Sequence, residues 1–91
     1  MLVKVGVWIM EEIPVTVRNA AGDFRKDVGV PPEMAFREFR EAAQKIEGRP
    51  GVPCTLVREK DNQAMNDEVT FQDAAIYPGT VFVLTYEDEG G

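Results

Sequence analysis

Apolar and polar residues alternate with a period of two through the first third of the chain. Val3, Val5, Val7 and Ile9 are separated by Lys4, Gly6 and Trp8, and this β-branched run predicts a strand with one strongly apolar face. Glu11 and Glu12 interrupt it. Ile13, Val15 and Val17 then alternate with Pro14, Thr16 and Arg18, predicting a second strand with a wetter outer side, in which Pro14 marks an edge or an entry position. Asn19-Ala20-Ala21-Gly22-Asp23 carries turn chemistry, and Phe24, Lys26, Val28 and Val30 continue the alternation as a third, weaker strand.

The period then changes. Pro31-Pro32 stops the strand and fits a helix start, with Glu33 in the first turn suiting the positive end of the dipole. Met34 or Ala35, Phe36, Phe39, Ala43 and Ile46 recur at spacings of three and four, opposite Arg37, Glu38, Arg40, Glu41 and Lys45, and Gly48 is placed to end the helix in the left-handed conformation. A single short amphipathic helix beside several strands must lie across one sheet face, because nothing else can cover both apolar surfaces.

Arg49-Pro50-Gly51-Val52-Pro53 reads as a loop, Cys54 to Val57 as a short strand, and Glu59-Lys60-Asp61-Asn62-Gln63 as a polar turn. Met65 starts a brief edge strand, Thr70-Phe71-Gln72-Asp73 reads as a short turn or a helical turn, and Ile76-Tyr77-Pro78-Gly79 bends the chain into Thr80 to Tyr86. That last run is β-branched, aromatic and uncharged, which suits a central strand. The chain ends Glu87-Asp88-Glu89-Gly90-Gly91.

With 91 residues there is enough chain for one core, so a single domain is expected over residues 1–86, followed by a flexible acidic tail over 87–91. Sixteen acidic against ten basic residues give a net charge of -6, which repels a phosphate backbone; no nucleic-acid partner is expected. There is no His and one Cys, which excludes a His-based triad, a His-bearing metal site and an intrachain disulfide, and a lone thiol suits a reducing compartment. No stretch approaches the roughly 18 apolar residues of a membrane span, and the N-terminus lacks a leader pattern, so the expectation is a cytoplasmic protein with no membrane partner.

The order hairpin, helix, short strand, polar turn, turn, apolar strand, Gly-Gly resembles ubiquitin and its β-grasp relatives. The likeness is closest over Met65, Asp67, Thr70-Phe71, Asp73, Ile76, Gly79 and Val81 to Tyr86, and runs ungapped into Gly90-Gly91. The fold this implies is α+β, a mixed β-grasp sheet with one helix across one face and an extra N-terminal strand. Either strands two and three are the family hairpin and the first is added, or the first two are the hairpin and the third is added. The fall in apolarity from the run over residues 3–9 to the run over residues 24–30 favours the second arrangement, whereas direct alignment to the family favours the first.

In the family the C-terminal carboxylate is adenylated by an activating enzyme, passed to a thiol and joined to an amine. The resemblance therefore implies a ubiquitin-like modifier that is not itself an enzyme. Gly91 would carry the reactive carbonyl and Gly90 would give clearance in a narrow channel. The implied partners are an E1-like activating enzyme, which uses ATP and Mg, an E2-like conjugating enzyme, a deconjugating protease and target proteins; no cofactor would be bound by the chain itself. Ubiquitin has basic residues ahead of its glycines, whereas Glu87, Asp88 and Glu89 are acidic, so tail recognition calls for a dedicated activator with Arg or Lys along its groove. A sulfur carrier forming a C-terminal thiocarboxylate, and a non-covalent β-grasp docking subunit, are the alternatives.

The family's apolar sheet patch maps onto Val57, Val83 and Thr85, with Ala20 or Ala21 near the turn. Cys54 lacks any His to activate it and is expected as a packed thiol. Trp8 and Tyr86 are expected either as outer-face contacts or as packing partners, and Lys4, Lys26, Lys45 and Lys60 are the only amines for self-linkage besides the N-terminus, with Lys60 the most accessible.

Overall fold

A computed structural model describes residues 12–87. It contains strands β1 (Ile13–Asn19), β2 (Arg25–Val30), β3 (Cys54–Arg58), β4 (Gln63–Ala64) and β5 (Val81–Tyr86), with helix α1 (Phe36–Glu47) between β2 and β3. The sheet order is β2-β1-β5-β3-β4; β1 and β5 are parallel, and the other neighbours are antiparallel. This mixed five-stranded sheet with one helix across it is the expected α+β β-grasp.

The pairing of Ile13 with Val30 through Arg18 with Arg25 makes strands two and three of the sequence the hairpin, which corrects the arrangement favoured by the apolarity gradient. The reason lies in the turn. Asn19 Oδ1 accepts hydrogen bonds from the N–H of Gly22 (2.7 Å) and Phe24 (3.2 Å), and Gly22 takes a φ of +88° that closes the loop. Local turn chemistry fixes the hairpin, and overall apolarity does not enter. The predicted strand over residues 3–9 lies outside the described residues.

The core is the inward face of the sheet: Val15 and Val17 of β1, Val30 of β2, Leu56 of β3, and Phe82, Leu84 and Tyr86 of β5, closed by Phe36, Phe39 and Ala43 of α1 and by Phe71 and Ile76. Four phenylalanines, Phe36, Phe39, Phe71 and Phe82, hold ring centroids 4.6 to 5.9 Å apart at tilted or edge-on angles, each such pair adding about 0.5–1.5 kcal/mol beyond its burial. Among the described residues β5 is central, as its uncharged sequence predicts. Pro14 occupies an entry position on an inner strand: its missing N–H falls before the β1–β5 ladder begins at Thr16 and Val81, while its carbonyl accepts from Gly79 N–H at 2.7 Å.

The helix begins later than the Pro31-Pro32 signal suggests. Those prolines form a turn closed by Met34 N–H donating to the Pro31 carbonyl (3.0 Å), and Ala35 is extended, bridged to Thr70. Ala35 is the N-cap and has no side-chain acceptor. The orphan N–H groups of Phe36 and Arg37 donate instead to the carbonyls of Val69 (2.9 Å) and Asp67 (3.2 Å), while Glu38 Oε1 accepts from Ala35 N–H (3.2 Å). At the other end Gly48 is left-handed with φ +90°, as predicted, and its N–H reaches the Gln44 and Lys45 carbonyls.

The buried arc of the helix is Phe36, Phe39, Ala43 and Gln44, and Ile46, expected inside, is 56% exposed. Gln44 is 1% exposed because its amide serves the irregular loop after the helix. Nε2 donates to the carbonyls of Arg49 (3.1 Å) and Val52 (2.8 Å), and Oε1 accepts from Arg40 Nη1 (2.9 Å). Arg40 in turn pairs with Asp67 at 3.1 Å, so one polar chain ties the loops at both ends of the helix to its flank.

Candidate functional site

The end of β5 is where the fold hands over to its tail. Tyr86 pairs with Cys54 and, contrary to one of its two expected placements, faces the core, 1% exposed. Its hydroxyl donates to Glu47 Oε1 at 2.6 Å, and the guanidinium of Arg49 stands 3.8 Å from its ring centroid. The second oxygen of Glu47 accepts from Asn19 Nδ2 at 3.1 Å. The last residue of α1 therefore ties the final strand to the β1–β2 turn, and Tyr86 is held on its ring face and at its hydroxyl. Burial, with the neighbouring Glu47 carboxylate, drives the Tyr86 phenol well above its ordinary pKa, so it remains a hydrogen-bond donor throughout the physiological range.

Glu87, the next residue, is exposed. Asp88, Glu89, Gly90 and Gly91 lie outside the described residues. No sequence signal pointed to the Glu47–Tyr86 bond, since its partners are thirty-nine positions apart; the available clue was an acid in the last helical turn, where the dipole favours cations.

The outer sheet face carries the second candidate. Val57 and Val83 are paired neighbours on β3 and β5, and Thr85 lies two residues on from Val83, so the structure brings the three together on one side. Thr85 is exposed and Val57 half-buried, whereas Val83 is only 9% exposed. Arg18, opposite Val83 on β1, reaches across β5 to Glu59 just beyond β3, making an ion pair of 2.8 Å over this part of the sheet. Ala20 and Ala21 are exposed at the β1–β2 turn, just beyond Asn19, which pairs with Leu84.

Burial, only partly offset by Arg40, pushes the Cys54 thiol up to about 11, which keeps it protonated near neutrality and agrees with a packed rather than a nucleophilic cysteine. Among the described residues no group of three or more His, Cys, Asp or Glu could hold a metal ion, and no helix is long and apolar enough to cross a membrane. Lys26, Lys45 and Lys60 are all exposed, so accessibility does not single out Lys60; Lys4 and Trp8 lie outside the described residues.

No protein-family model and no curated protein sequence matches the chain. Solved structures do. A ubiquitin from Caldiarchaeum subterraneum is similar with a TM-score of 0.71 at 18% identity, over 88% of this chain and 99% of that one. A protein designed de novo on the basis of ubiquitin is similar with a TM-score of 0.69 at 19% identity, over 87% and 93%. The fold is therefore ubiquitin-like.

Proposed function

We propose that the chain is a ubiquitin-like protein modifier. The observation that carries the reading is the exit of β5: a ubiquitin-like fold pins Tyr86 at the sheet margin and turns Glu87 to solvent, three residues ahead of Gly90-Gly91. With Gly91 as the terminal residue, its carboxylate oxygen attacks the α-phosphorus of ATP on an E1-like, Mg-dependent activating enzyme, and pyrophosphate leaves. An enzyme thiolate then attacks the acyl carbon and AMP departs. A lysine amine on the target displaces the thiol after transfer to an E2-like enzyme, giving an isopeptide bond that a deconjugating protease hydrolyses. Catalysis belongs to these partners and the chain is the group carried.

Glu87, Asp88 and Glu89 would be read by cationic side chains along the activator's tail groove. Val57 and Thr85, with Val83 between them, form the contact patch for partners. The tail also supplies the assay. No Lys or Arg follows Lys60, so trypsin leaves a long remnant, but cleavage after Glu89 by a glutamate-specific protease leaves Gly90-Gly91 on the modified lysine. In extracts of the native cells supplied with ATP, glycylglycine-bearing lysines should form with the full chain and disappear with a variant lacking Gly91. Their absence with the full chain would sink the reading, and an intact mass with one oxygen replaced by sulfur would establish the sulfur-carrier alternative in its place.

A further inference from the structure

Among the described residues the outer edge of β2 has no paired strand and an apolar groove lies beneath it, and we propose that this chain's own N-terminal segment, residues 3–9, occupies that strand site. This does not depend on the functional reading. In the β1–β2 ladder Asn19 N–H donates to the Phe24 carbonyl (3.0 Å), so Phe24, Lys26, Val28 and Val30 face β1 with their backbone groups, and Arg25, Asp27 and Gly29 turn theirs outward to the open edge. Below that edge, on the helix side, a groove of about 190 Å³ is lined by Val28, Val30, Met34, Ala42, Ala43 and Ile46 among others. Ile46 is 56% exposed there, on a helix whose own periodicity marks it as a core position.

The occupant follows from pattern and reach. Val3, Val5, Val7 and Ile9 put four β-branched side chains on one face, the complement of an apolar groove beside an edge strand, while Lys4, Gly6 and Trp8 fall on the side of Arg25 and Asp27. From Ile13 back to Ile9 the chain spans at most about 13–14 Å. A strand beyond β2 lies two strand spacings from β1, about 10 Å, and is within reach; one beyond β4 lies four spacings away, about 19 Å, and is not. Glu12, just ahead of β1, already lies against β2: a Cβ added at Gly29 would stand 3.1 Å from the Glu12 Cβ, as an approach to β1 from the β2 side requires. Crossing the end of β2 in this way makes the new strand parallel to β2. The outer face of β1 and β2 offers no such match, being lined by Thr16, Arg18, Arg25 and Asp27.

Amide exchange followed by NMR tests the assignment in three forms of the protein: the full chain, a variant lacking residues 2–10, and the full chain carrying Ile46→Lys, which alters an exposed residue and spares the core. Seating of the segment slows exchange of the Arg25, Asp27 and Gly29 amides at least about tenfold in the full chain relative to both variants, while β5 amides keep their protection in all three. Should the truncated form fail to fold, Ile46→Lys gives the comparison alone. Equal rates at these amides in the full chain and Ile46→Lys overturn the proposal. So does protection that rises with protein concentration alongside a dimer in light scattering, which would assign the site to the segment of a second copy.

Discussion

Replacing Tyr86 with Phe isolates the bond that joins the last strand to the helix. The ring, its burial and its stacking under Arg49 survive; only the hydroxyl that donates to Glu47 at 2.6 Å is lost. A hydrogen bond to a charged group contributes about 1.5–3 kcal/mol. The lower end applies here, because Glu47 is only half-buried and keeps its bond from Asn19 at 3.1 Å. Tyr86→Phe should therefore cost about 1.5 kcal/mol, and lower Tm by about 6–12 °C for a domain of this size. Glu47→Ala should cost more, about 2–3 kcal/mol, since it strands a phenol hydroxyl on a residue 1% exposed. Urea unfolding of both single variants and the double variant gives the coupling. The folded phenol titrates above its unfolded value of 10.0, so this stability is complete below about pH 10 and lost as pH rises through the raised value; the gap between wild type and Tyr86→Phe should close there. A Tyr86→Phe variant within about 0.5 kcal/mol of wild type at pH 7, or a Glu47→Ala variant milder than it, would refute the account.

Gln44→Met keeps the volume but leaves the Arg49 and Val52 carbonyls without their donor, and should cost about 2–3 kcal/mol in urea unfolding; wild-type stability in this variant would show that the loop finds other partners. Cys54, with its thiol pushed from 9.0 up to about 11, should alkylate with iodoacetamide roughly a hundredfold more slowly at pH 8 than an ordinary cysteine, with the rate still climbing past pH 9; a plateau by pH 9 contradicts the burial argument. The same raised value means that its share of stability is present below pH 9 and lost towards pH 11, so Cys54→Ala should flatten the alkaline limb of the unfolding curve.

Features set by near neighbours in sequence were legible in it. The Asn19–Gly22 turn, the left-handed Gly48 and the uncharged run of β5 each rest on residues a few positions apart, and each stands where its local chemistry put it. The helix start was not legible, because Ala35 is drawn into an extended bridge by Thr70, far along the chain. Exchanging Gln44 for Ile46 on the buried arc has the same origin: the loop at 49–52 needs an amide donor, and no periodicity records that demand. The role proposed for the tail glycines comes from the resemblance to ubiquitin, whereas the Glu47, Asn19 and Arg49 grip on Tyr86 joins three separate segments and left in the sequence only an acid in the last helical turn.

Among the described residues, the strand that joins the two halves of the sheet is also the last in chain order. Until residues 81–86 leave the ribosome, β1 and β2 on one side and β3 and β4 on the other share no ladder among the described residues, and neither part holds the closed core on which persistence in water depends. A nascent chain stalled before Val81 would thus offer quality-control machinery an open, phenylalanine-rich surface, and commitment to the native state would wait on the synthesis of β5.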